Sequence, residues 1–315
     1  QFQRQKHIHS GSDGSVSEWK HPSTGYVVAV KEPKPGRSHM LKKEFEVFEL
    51  IPEHANIVQL FGCIEDWSPA APALVLELAQ TDLNEYRYML LENELRVPEM
   101  TLWKLMRDVS SGLAWLHNHC SKPFVHGDIK PENILVFDPP NWDGKNLPLV
   151  PIFKICDIGR MKPATKGDFI QFDGTPEFGP PIDERASSQT PAVDMWSLGA
   201  SIQWFALGFY PHMLMSDFVE YARQEFQVQL TEQDLKGEGY NKWRNHLPTM
   251  YRPLNASIEV QKDVLKLKST VPPYSQILNS WYAKLFHQDA SRRMRSKTLA
   301  KYFVPAADGQ IKVLE

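Results

Sequence analysis

Apolar residues in the first quarter of the chain come in short runs separated by turn formers. Residues 5–31 read as strand material broken by turns, and GYVVAVK (25–31) is a β-branched run entered from Gly25. IVQLFGCIED (57–66) and PALVLEL (72–78) read as two further strands. Between them, HMLKKEFEVFELI (39–51) carries apolar residues at 41, 45, 48 and 51, the spacing of one helix face. Later the period turns helical. LWKLMRDVSSGLAWLHNHC (102–120) places apolar residues at 102, 105, 106, 109, 113 and 116, an amphipathic helix of several turns. Residues 193–208 and 275–287 read as further helices. DPPNWDGKNLPLVP (138–151) is rich in Pro, Asn, Asp and Gly and predicts a loop projecting from the surface. Residues 215–274 predict a helix or two and carry no motif. A strand-rich beginning and a helix-rich remainder predict an α+β fold with a cleft between two lobes, joined near residues 77–81.

Composition narrows the classes. The 315 residues are 42% apolar and 23% charged, an ordinary globular balance. Lys plus Arg number 35 against 38 Asp plus Glu, a net charge of −3, which lacks the basic excess of a nucleic-acid binder. Cys63, Cys120 and Cys156 form neither a disulfide framework nor a zinc-ligand spacing, so a reducing, intracellular setting (cytoplasmic or nuclear) is expected. QFQRQKHIHS has no signal-like apolar core and no initiator Met, which reads as a fragment or a processed chain. Asn255-Ala256-Ser257 reads as a chance glycosylation match. The apolar stretch Leu198 to Met215 contains Gln203, Pro211 and His212, so it predicts a buried helix and its exit, with no membrane insertion.

Chemistry concentrates between Phe124-Val125 and Ile134 to Val136, where Asp128, Lys130 and Asn133 fall on one polar loop. A carboxylate there can orient a hydroxyl and take its proton. A Lys two residues on can balance a phosphoryl group, and an amide oxygen can ligate a hard cation. Asp157, after an apolar run and before Ile158-Gly159, can face the same metal from a strand end. A plain polar turn over residues 126–133 is the weaker reading of this loop taken alone.

VHGDIKPENIL resembles the catalytic loop of the eukaryotic protein kinase family, HRDLKxxN, and the resemblance covers nearly the whole chain in the family's order. VAVK (28–31) resembles the family's third strand, which implies that Lys31 holds nucleotide phosphates with Glu44 as its partner and Glu46 as the alternative. The run from His9 to Val16 falls where the phosphate-covering loop should lie. Gly11, Gly14 and Val16 match it, while His9 replaces the first Gly. Leu76 would be the gatekeeper, and Glu77 and Leu78 would offer backbone groups to adenine; Ala29 and Leu135 join the implied nucleotide site. Asp157-Ile158-Gly159 resembles DFG, so Asp157 and Asn133 are the implied metal ligands. GTPEFGPP (174–181), DMWSLG (194–199) and Asp289 to Arg293 resemble three later family elements.

The family implies ATP and Mg²⁺, with Mn²⁺ as a substitute, a bilobal fold and transfer to protein hydroxyls. Lys130 and Thr175 match its Ser/Thr branch, giving Asp128, Lys130 and Thr175 as catalytic residues. One domain spans residues 1–315: first lobe 1–79, second lobe 80–305, then a short tail 306–315. His126 and Cys156 are expected in packing roles, His126 in a spine with Ile158, Phe48 and Leu60.

Three departures stand out. Gly127 replaces the Arg that pairs with an activation-loop phosphate, and Thr165 is the sole hydroxyl side chain in 160–173, so phosphorylation there is expected to be dispensable. Pro180-Pro181-Ile182 lacks the Glu that should pair with Arg293; Glu184 is the expected substitute, ahead of Glu177. The 138–151 segment lengthens the path from Asn133 to Asp157. Alternatives are a nucleotide-binding scaffold with little catalysis, or a small-molecule phosphotransferase of the HGDxxxxN type.

Overall fold

The structure is a computed structural model that describes residues 2–315 except 12–13, 69–70, 166, 168 and 268. The first lobe runs β1 (Gln3–Ser10), β2 (Gly14–Lys20), β3 (Val27–Pro33), α1 (Ser38–Leu50), β4 (Leu60–Ser68) and β5 (Ala71–Leu76). The strands form one antiparallel sheet in the order β1-β2-β3-β5-β4. Alternation divides their side chains between two faces. Val28, Val30 and Ala73 pack with Trp19 and Trp67 on one face. Ala29, Leu74 and Leu76 pack with Leu41 of α1 on the other. Helix α1 begins after Pro33 and Pro35, which cannot sit inside it, and buries Leu41, Glu44 and Val47.

The second lobe runs β6 (Thr81–Asp82), α2 (Leu83–Glu92), α3 (Glu99–Asn118), β7 (Phe124–Val125), β8 (Ile134–Phe137), β9 (Ile152–Ile155), β10 (Lys162–Pro163), α4 (Ile182–Arg185) and α5 (Ala192–Leu207). It continues with α6 (Met215–Glu225), α7 (Glu238–Trp243), α8 (Gln276–Ala283), α9 (Ser296–Thr298) and α10 (Val304–Leu314). Helix α3 turns its expected stripe, Leu102 through Leu116, into the main core. Helix α5 is buried from Val193 to Leu207, as a helix apolar all round must be. Among the described residues no helix is long and apolar enough to cross a membrane.

Three details differ from the sequence reading. The 138–151 segment does not simply project. Leu147, Leu149 and Val150 pack on the core, while Tyr86 and Thr101 donate hydroxyl hydrogen bonds to the Pro148 and Leu149 carbonyls. Residues 306–315, read as a tail, lie mostly in α10, which buries Ala307 and Ile311 and ties to α3 through Arg107–Asp308 at 2.9 Å. Residues 57–58 leave the first sheet and bond to Ile155 of β9 instead, so β4 starts at Leu60.

Candidate active site

The antiparallel pair β8–β9 builds the site. Ile134 lies opposite Ile155, so Asn133 before β8 and Cys156-Asp157 after β9 emerge side by side. The Cys156 N–H bonds to the Asn133 carbonyl at 3.0 Å. Asp128 is buried, and its carboxylate is held on several sides. Oδ1 accepts the Thr175 N–H at 2.8 Å; Oδ2 lies 3.1 Å from Lys130 Nζ and 3.3 Å from Asn133 Nδ2. Lys130 also donates to the Thr175 hydroxyl at 3.0 Å. The three residues expected to be catalytic therefore meet in one ring of hydrogen bonds.

Beneath this loop lies a group that sequence reasoning missed. Asp194, fully buried at the start of α5, accepts from the His126 and Gly127 N–H groups at 2.8 Å each and from His117 Nε2 at 2.8 Å. A buried carboxylate demands such partners, and here they fix the backbone two residues ahead of Asp128. The available signal was an acidic residue opening an otherwise apolar helix. His126 is itself buried, with Nε2 at 2.9 Å from the Cys156 carbonyl, a packing role. Desolvation in this seam pushes the Cys156 thiol well above its ordinary value.

Lys31 on β3 reaches both oxygens of Glu44, at 2.8 and 2.7 Å, and Asp157 Oδ1 at 3.0 Å. Glu46 is exposed and is not the partner. Burial alone would lower the Lys31 pKa, but the two carboxylates outweigh it and hold it above the ordinary value. Partial burial would likewise raise Asp157, yet Lys31 outweighs it and holds the carboxyl below its usual range. Asp157 sits in the left-handed region, φ 58 and ψ 52. Such a conformation costs a non-glycine residue about 1–2 kcal/mol and collects at functional sites.

Val16, Ala29, Leu76 and Leu78 gather in one apolar cluster on the cleft-side face of the sheet. Gly11 and Gly14 close the β1–β2 turn through Gly11 N–H to Gly14 O at 3.0 Å; the Ser12 and Asp13 positions of this loop lie outside the described residues. Leu135 stands apart on β8, paired with Asp82 and Lys154. The Glu77 N–H is taken by the Gln59 carbonyl at 3.1 Å, which leaves only its own carbonyl for a ligand. Its carboxylate accepts from Lys154 at 2.6 Å, bracing the connection between the lobes.

Gly127 adopts φ 80, and a Cβ on Gly174 would fall 2.1 Å from the Gly127 carbonyl oxygen. Gly174 thus lets the end of the 160–175 segment lie directly on the catalytic loop. Lys162 pairs with Asp173 at 3.1 Å beside this seam. Arg293 grips Glu184 with two nitrogens, at 3.0 and 2.6 Å, as expected for the replacement of the missing Glu. Glu177 pairs elsewhere, with Arg244.

A protein kinase domain profile matches residues 2–303 of the chain. The chain belongs to the protein kinase family. This kinase domain is 31% identical to the serine/threonine-protein kinase ATG1a of Arabidopsis thaliana, over 65% of the chain and 31% of that protein. It is 29% identical to an Aurora kinase of Schizosaccharomyces pombe, over 68% of the chain and 57% of that protein. It is 27% identical to the serine/threonine-protein kinase TIO of Arabidopsis thaliana, over 65% of the chain and 14% of that protein. The chain therefore spans from about a seventh to just over half of the length of these relatives. The bilobal α+β architecture is that of the kinase family.

The metal that kinase domains use can be tested against the donors present. Asn133 spends its Nδ2 on the Asp128 carbonyl at 2.8 Å, leaving Oδ1 available. Asp157 keeps 37% of its side chain accessible. Two hard oxygen donors suit Mg²⁺, which takes its remaining ligands from water and phosphate. Among the described residues no cluster of three or more His, Cys, Asp or Glu is placed to hold a metal ion.

Proposed function

We propose that the chain is an active, ATP- and Mg²⁺-dependent kinase that phosphorylates Ser and Thr hydroxyls of protein substrates inside the cell. The observation that carries this reading is the ring of hydrogen bonds joining Asp128, Lys130, Asn133 and Thr175. In it, the Asp128 carboxylate, held by the Thr175 N–H on Oδ1 and by Lys130 and Asn133 on Oδ2, would orient a substrate hydroxyl and accept its proton. Lys130 would balance charge on the transferring group. Lys31, kept charged by Glu44, would hold the α and β phosphates. Mn²⁺ or Mg²⁺ held by Asn133 Oδ1 and Asp157 would neutralise phosphate charge. Val16, Ala29, Leu76, Leu78 and Leu135 would enclose adenine, under the turn from Gly11 to Gly14.

Activity in this reading does not depend on phosphorylation of the 160–173 segment. Gly127 offers no cation to a phosphate, and the Lys162–Asp173 pair already links two points of the segment without one. The test is a peptide-array phosphorylation screen with MgATP, comparing wild type with Asp128→Asn. Labelled Ser or Thr peptides with wild type alone support the reading. An inactive wild type that still binds MgATP would show a nucleotide-binding scaffold instead.

A further inference from the structure

Glu177 is the one carboxylate between Gly174 and Pro181, and it is 9% exposed. It shares a tight turn with Thr175, closed by Phe178 N–H to the Thr175 carbonyl at 3.1 Å. Its partners come from more than sixty residues away. Tyr240 of α7 donates its hydroxyl to Oε1 at 2.6 Å, and Arg244, just past α7, pairs with Oε2. The guanidinium also lies 5.9 Å from the Tyr240 ring centre, so the two side chains support each other.

Helix α7 is itself anchored. Tyr240 and Trp243 pack on a separate small core of Phe218, Ala222, Leu235 and Leu247. The far side of the turn is held by Arg185, which donates to the Pro176 and Pro180 carbonyls at 2.7 and 2.6 Å. The turn is therefore gripped from both sides, and what it carries is Thr175, the contact of both Asp128 and Lys130.

We infer that Tyr240 and Arg244 are positioning residues for peptide phosphorylation: by clamping Glu177 they fix the turn through which Thr175 reaches the catalytic loop. This rests on the kinase activity proposed above. It gives a role to the 226–246 region, which bears no motif.

Steady-state kinetics on a peptide substrate, with MgATP affinity measured separately, tests it. Arg244→Met and Glu177→Gln should each lower peptide kcat/KM about tenfold, since small displacements at a reacting centre are costly. The double variant should lose no more than either single one, because both break the same link. MgATP affinity should stay unchanged, and Arg244→Lys should recover part of the loss. Tyr240→Phe, which deletes one oxygen and spares the fold, should show a smaller loss in the same parameter. Additive losses, equal losses in MgATP affinity, or an unaffected Arg244→Met would overturn the inference while leaving the kinase reading intact. A wild type without activity overturns both.

Discussion

Deleting the Glu184 carboxylate isolates a buried cation, and the cost can be worked out. The Arg293 side chain is 0% exposed and that of Glu184 15%. Besides Glu184, Arg293 donates to the Ala192 and His287 carbonyls at 2.7 and 3.1 Å and lies 5.1 Å over the Trp196 ring. Removing one partner of a buried pair costs about 3–5 kcal/mol, because the other charge stays desolvated. The two carbonyls and the indole remain in Glu184→Ala, so the low end, about 3 kcal/mol, applies. At about 2 °C per kcal/mol for a large domain, the melting temperature should fall by about 6 °C. Calorimetry on wild type, Glu184→Ala and the neighbouring surface control Asp183→Ala measures this. Glu184→Leu combined with Arg293→Met should recover most of the loss, since an apolar pair needs no desolvation. A Glu184→Ala protein melting within about 1 °C of wild type, or a double variant no more stable than the single, refutes the reasoning.

Three further outcomes are expected. Asp128→Asn should lower kcat by about 10³-fold while MgATP binding, followed by titration calorimetry, is unchanged; weakened binding would contradict the assigned role. Phosphatase treatment of the purified protein should leave its activity within about twofold, and a large loss would show that a phosphate fastens the 160–173 segment after all. Because Lys31 holds Asp157 below its usual carboxyl range, that group stabilises the fold above its unfolded pKa, and the contribution is lost as pH falls through the folded value. The stability gap between wild type and Asp157→Asn in urea unfolding should therefore be constant near neutrality and shrink below about pH 4; a gap that widens there refutes the pairing.

Local pattern was enough wherever a residue and its role share one element. VAVK predicted a buried strand carrying Lys31, and Glu44, expected from the resemblance, falls on the buried side of α1 with Glu46 out in solvent. Glu184 as the partner of Arg293, 109 residues away, was readable only through the family resemblance, whose missing Glu called for a nearby substitute that the one-turn helix α4 delivers. Long-range contacts outside the family's motifs were not readable. Nothing near Tyr240 or Arg244 points to Glu177, which lies 63 and 67 residues away. Asp194 hid in the same way, since its partners His126 and Gly127 belong to another stretch of chain. In the 138–151 segment the turn-forming residues masked Leu147, Leu149 and Val150, which dock once α2 and α3 are folded.

The contact between Gly127 and Gly174 limits how this protein could be rewired. An arginine placed at 127 must adopt φ 80, at a cost of about 1–3 kcal/mol before it meets any phosphate. A side chain at 174 would collide with the Gly127 carbonyl, so that position cannot adapt alone. A phosphorylation-gated version made through position 127 would have room for the side chain but would begin from a strained backbone. Single substitutions lead only through weakened intermediates.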